Sequence, residues 1–138
     1  MFIPTPYFAN VPQLGDLSLD YIFLEDGYPL LFTCKSGVKL YICICRTLIP
    51  KQKWVISEVD ATVLGKLVNR EIPVCDAFKL SNAQSCIIYW SRELGHEYEV
   101  FSTCELRSQD LPSSKMYLDE DDVEDAREYL ATIKEENR

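Results

Sequence analysis

The segment from Leu19 to Arg46, LDYIFLEDGYPLLFTCKSGVKLYICICR, constrains the fold more than any other part of the chain. It breaks into apolar runs over about residues 19–25, 29–35 and 38–46. EDGYP, with Gly27 and Pro29, separates the first two, and KSG, with Gly37, the last two. Runs of this length with hairpin-type punctuation predict consecutive antiparallel strands, so a meander opens the sheet.

The last of these strands, KLYICICR, carries Cys43 and Cys45 one residue apart. In an extended chain both point to the face of Tyr41, while Leu40, Ile42 and Ile44 point to the other. Both faces are apolar, as expected of a central strand covered on two sides. A zinc site closes with paired C-x2–4-C units, and Cys34, Cys75, Cys86, Cys104 and His96 offer no such spacing. The pair reads as buried, reduced thiols, and neither a metal nor a cofactor is expected. The face of Tyr41, Cys43 and Cys45 then needs a cover. It is supplied either by the N-terminal arm, with Phe2, Ile3, Tyr7, Phe8 and Val11, or by a second protein chain.

Beyond the break at TLIPKQ, KWVIS predicts a fourth strand, and SEVDATVLGKLVNRE changes period. Val59, Val63, Leu64, Leu67 and Val68 fall on one helical face, with Ser57 and Asp60 spaced as a capping box. IPVCDAF, with Pro73 in the first turn, predicts a short helical turn over 73–78. SCIIYWS and EYEVFSTCEL predict two more strands joined by RELGH, the second alternating apolar with charged positions. After the polar loop RSQDLPSSK, residues 119–136 predict an amphipathic helix. Its apolar stripe is Val123, Ala126, Leu130 and Ile133, with Tyr129 beside it. The expected architecture is α+β in a single domain over 1–138, a length that suits one domain. Residues 1–18 form an extended arm, the antiparallel sheet has about five or six strands, one central helix follows the fourth strand, and an acidic helix closes the chain.

Charge is the second constraint. The formal net charge is −8, and residues 119–138 alone hold nine acidic and three basic side chains. Nothing resembles a basic footprint for phosphate backbones, so direct nucleic-acid binding is not expected. No apolar run approaches the length of a membrane span, and MFIPTPYFANVPQLGDLSL lacks the basic start of a signal peptide; the expected location is the cytoplasm. His96, in LGHEYE, suits an exposed hairpin better than a catalytic pair, which also needs an orienting group. The carboxylate pairs Glu97/Glu99 and Asp121/Asp122 lie side by side, whereas acid–base catalysis separates its two carboxyl groups across a cleft.

LDYIFLEDGYPLLF, KWVISEVDATVLGKLVNREIPVCDAF and EYEVFSTCELRSQDLPSSKMYL together resemble an uncharacterised family of small bacterial domains. The shared pattern is a Tyr and an acidic residue before a Pro-Leu-Leu-Phe strand, a Trp-led strand running into a short helix, an Asp-Ala-Phe turn, and a late Leu-Pro before Tyr-Leu. It spans roughly residues 19–118. The six cysteines and the acidic last helix are not part of that pattern. The resemblance implies a small accessory protein of bacterial or phage origin and carries no catalytic residues.

The functional expectation is a non-enzymatic protein-interaction module, in a defence or counter-defence setting. Its partner is another protein of basic character, with a homodimer as the other option. The surface residues expected to meet that partner are Asp119, Glu120, Asp121, Asp122, Glu124 and Asp125, together with Tyr41 on the apolar sheet face. Two alternatives stand beside it. The acidic run DEDDVED could imitate a nucleic-acid backbone and inhibit a basic nuclease or DNA-binding protein. A small enzyme could instead assemble its site from Tyr28, Trp54, Asp76 and His96.

Overall fold

The computed structural model describes residues 7–47, 52–80, 84–91, 95–102 and 107–136. Phe2, Ile3, Cys104 and Leu106 lie outside the described residues. The strands are β1 (Phe8–Val11), β2 (Gly15–Glu25), β3 (Pro29–Ser36), β4 (Lys39–Thr47), β5 (Gln52–Glu58), β6 (Gln84–Ser91) and β7 (Gly95–Ser102). They form one antiparallel sheet in chain order, β1-β2-β3-β4-β5-β6-β7. Helices α1 (Ala61–Val68) and α2 (Val74–Lys79) separate β5 from β6, and α3 (Val123–Glu136) follows β7. Short 3-10 turns at Ser108–Asp110 and Glu120–Asp122 bracket the segment that leads into α3.

The α+β class is as expected, but the sheet has seven strands where five or six were predicted, and three helices flank it. The additional strand comes from the arm. Pro12 and Gln13 make a tight turn closed by Leu14 N–H donating to Val11 O at 3.1 Å, with Gln13 at φ 67 and Gly15 at φ 82. Pro12 sits where its fixed φ starts a turn. Asn10, also at positive φ, donates its N–H to Asp16 Oδ1 at 2.7 Å and so ties the two sides together.

Strand β2 serves two layers because it is bent. Its pairing with β3 is irregular between Leu19 and Tyr21, between Ile22 and Leu24, and again before Glu25. Bulges of this kind kink a strand and sharpen its twist. The first half of β2 therefore turns over the sheet with β1, placing Phe8, Val11, Leu14 and Leu17 on the face of Tyr41 and Cys43. The second half stays in the sheet and gives Phe23 to the opposite core. From the far edge, the Tyr98 hydroxyl of β7 comes within 3.5 Å of Ala9 O, so the sheet rolls toward a barrel around this inner core.

The arm thus takes the place left for it on the Tyr41 face, as far as its described residues go. Phe8 packs edge-on against Trp54, with ring centroids 5.4 Å apart, and Tyr7 meets Phe32 at 5.1 Å. Burying each large side chain of this kind contributes about 1.5–3 kcal/mol. KLYICICR is the middle of that packing: Cys43, with Cys34 of β3 and Cys86 of β6, is fully buried, while Cys45, nearer the strand end, is half-buried rather than buried as expected. Burial pushes the Cys43 thiol well up, with neighbouring Cys34 adding to the rise, and pushes Cys86 up to about 12. Thiolate chemistry asks for the opposite shift.

The helices cover the other face. Val63, Leu64, Leu67 and Val68 of α1 are buried there, as their spacing predicts. The cap differs from the expected capping box. Asp60 alone accepts from Val63 N–H at 2.8 Å, while Ser57 is a fully buried β5 residue whose hydroxyl meets that of Ser85 at 2.7 Å. Pro73 is the residue preceding α2 and leaves no side-chain cap. In α3, Ala126, Leu130 and Ile133 are buried in the same core.

Candidate functional site

The described surface is most distinctive where the chain enters α3, and the route there is fixed by groups remote in sequence. Asp110, only 2% exposed, accepts from Lys53 Nζ at 2.6 Å and from Arg107 Nε at 3.4 Å. Arg46 donates to Leu111 O at 3.2 Å. Burial alone would raise the Asp110 carboxyl, but the Lys53 hydrogen bond and charge, reinforced by Arg107, hold it below the usual carboxylate range. Further on, Val74 N–H donates to Met116 O at 2.7 Å, and Arg70 Nε donates to Leu118 O at 3.0 Å. Leu111 and Leu118 are buried beneath these bonds.

The acidic turn follows at once. Asp119 caps it, its Oδ1 accepting from Asp121 N–H at 3.1 Å. Glu120 pairs with Arg70 at 2.6 Å. Asp119, Glu120, Asp121, Glu124 and Asp125 are exposed and Asp122 is half-buried, so the structure brings the six predicted acidic residues together on one turn and the start of one helix. Among the described residues, no cation lies within ion-pair distance of Asp121, Asp122, Glu124, Asp125 or Glu128. The Asp122 carboxyl is raised by burial and then by the charges of Asp119, Asp121 and Asp125. The helix dipole favours carboxylates here, yet they repel one another.

Helix α3 is held rigidly beneath this charge. Its middle is fastened to the sheet by Tyr129, whose hydroxyl donates to Asp20 Oδ2 at 2.5 Å. Because that proton goes to a carboxylate, the buried Thr33 hydroxyl is the donor in its 2.7 Å contact with the Tyr129 oxygen. Tyr21 stacks on the Tyr129 ring with centroids 4.5 Å apart and planes at 11°. Arg127 donates to Asn69 Oδ1 at 3.0 Å, joining α3 to the end of α1.

Tyr41, expected on an open face, is a correction. It is 2% exposed and lies in the core covered by the β1–β2 hairpin, where no partner reaches it. The residues weighed for an enzyme are not gathered in one place. Trp54 is packed against Phe8; His96 is exposed on β7 with its ring 6.5 Å from Trp90. Asp76 belongs to α2 on the opposite side of the sheet, and Tyr28 to the turn between β2 and β3. Among the described residues, no group of three or more His, Cys, Asp or Glu is arranged to hold a metal ion. None of the helices described is long and apolar enough to cross a membrane.

Arg70, Lys53, Asp110 and Tyr129 went unremarked as polar partners in the sequence. Each acts through a partner far along the chain, so no local spacing marks it.

Beside the acidic turn runs an open groove of about 570 Å³. Arg70, Lys115, Tyr117, Asp119 and Asp121 are among the residues that line it.

No protein-family model, no curated protein and no solved structure matches the chain. The motif resemblance described above therefore brings no family assignment.

Proposed function

We propose that this chain is a protein-interaction module that docks a basic partner on the acidic turn and the first turns of α3. The observation that carries the reading is the group Asp121, Asp122, Glu124 and Asp125, which has no cationic partner among the described residues, set at the start of a helix held by Tyr129, by its apolar stripe packed on α1 and by the Arg70 bonds. A fold gains little from repelling charges at pH 7. A partner's lysines and arginines would gain steering and register from them.

The test is pull-down from a lysate of the source organism at low and moderate salt, comparing the natural chain with Asp119→Asn, Asp121→Asn, Asp122→Asn and Asp125→Asn combined. Asn still caps a helix, so the variant keeps the turn. The expected result is a stoichiometric basic partner, weakened by salt and by about tenfold or more in the variant. Retention of the same partner at equal affinity by the variant would overturn the reading. Competition by duplex DNA for the partner would turn it into imitation of a nucleic-acid backbone.

A further inference from the structure

The groove beside the acidic turn supports a more specific assignment, one that rests on α3 being the docking surface. We infer that the groove between Arg70 and residues 115–121 seats a single arginine side chain from the basic partner, stacked on Tyr117 and paired with Asp119 and Asp121.

Shape comes first. A volume of about 570 Å³ falls within the range of small-ligand sites and is ample for one long side chain with its flanking backbone. Tyr117 is 42% exposed and lines the groove, while its neighbour Leu118 is fully buried. It offers a flat π-face, on which a guanidinium stacks well.

Charge decides the sign of the occupant. Arg70 and Glu120 satisfy each other at 2.6 Å and present no net charge. Asp119 uses Oδ1 to cap the turn, and among the described residues neither its other oxygen nor the Asp121 carboxylate has a partner. Lys115 stands on the groove as the counterweight, with no ion pair among the described residues. The remaining balance favours one added cation and disfavours several. A guanidinium can offer parallel N–H donors to carboxylates while its plane lies on a ring, whereas an ammonium is a more strongly hydrated point charge.

The test uses the full chain, labelled with 15N, titrated with a short lysine-containing peptide carrying arginine at its centre, then with lysine or citrulline there. The expected result is shifts at the Tyr117 and Asp121 amides, with the arginine peptide binding about two- to fivefold tighter than the lysine one and citrulline weakest. Tyr117→Ala removes the arginine preference, Asp121→Asn weakens the arginine and lysine peptides, and Lys115→Gln strengthens both. All three sites are exposed, so the variants should fold, and a gain from Lys115→Gln cannot come from misfolding. If the central residue made no difference and Tyr117→Ala bound normally, while neutralising Glu124, Asp125 and Glu128 abolished binding, the groove assignment would be overturned and the acidic helix would stand. If no basic peptide bound, both would fall.

Discussion

Asp110 and Asp122 lie in one segment of the chain and have opposite surroundings. Asp110 is taken out of water and given two cations; Asp122 is half-buried among three other carboxylates. Burial acts on both in the same direction, raising the carboxyl, and the neighbours decide the outcome: down for Asp110, up for Asp122. The lesson is that a carboxylate taken out of water is held ionised here only where cations are brought to it. Asp110 fixes the path to α3, while Asp122 sits among carboxylates that disfavour its charge.

The largest test of this contrast is Asp110→Asn, which leaves Lys53 half-dissatisfied under the loop. It should destabilise the protein by about 3 kcal/mol in urea unfolding, since breaking a buried pair strands its partner. A loss under about 1 kcal/mol would show that the amide oxygen and water replace the carboxylate. Next comes Tyr129→Phe, which frees the acidic helix from its polar fastening and leaves the buried Thr33 hydroxyl without its acceptor. A loss of about 1–2 kcal/mol is expected, with faster amide exchange in α3. Unchanged exchange would mean that the apolar stripe alone fixes the helix.

The pH dependence separates the two carboxylates by sign. Asp110, with its folded pKa lowered, contributes stability that is full above the unfolded carboxylate value and is lost as pH falls through the folded one. Asp122, with its folded pKa raised, does the reverse: its contribution is full below the unfolded value and is lost as pH rises through the folded one. Unfolding free energy followed through the acid range should therefore lose its lower limb in Asp110→Asn and its upper limb in Asp122→Asn. The smallest effect is at neutral pH, where Asp122→Asn should gain about 0.5 kcal/mol by relieving like-charge repulsion, a gain that shrinks with added salt. A loss instead would mean that the helix dipole outweighs the repulsion.

Much of the fold was legible because its signals are local. The runs around EDGYP and KSG gave β2, β3 and β4 within a few residues, and the period change after KWVIS located α1. The arm was expected as a cover for the Tyr41 face but not as a strand. Nothing in YFANVPQLGDL alternates clearly, and its pairing depends on a turn in which Gln13, rather than the usual glycine, takes positive φ. Tyr41 was placed on the correct face with the wrong exposure. Facing is a property of one strand, whereas exposure depends on whether another segment reaches it.

The acidic turn shows the same division. The local run of carboxylates over 119–125 marked the entry to an amphipathic helix expected from residue 119, and the structure puts Asp119 to Asp122 on a cap and 3-10 turn and only Glu124 and Asp125 on the first turn of α3. Which carboxylates find cations was decided only by tertiary structure. Asp110 meets Lys53 from 57 positions away, and Glu120 meets Arg70 from 50. An ion pair at 2.6 Å requires both ends to be carried to one place by a sheet and helices already packed, and short-range periodicity contains no record of that distance. Residue order by itself determined the strands, the helices and the bias of charge; packing determined which charges are spent inside the protein and which are left facing outward.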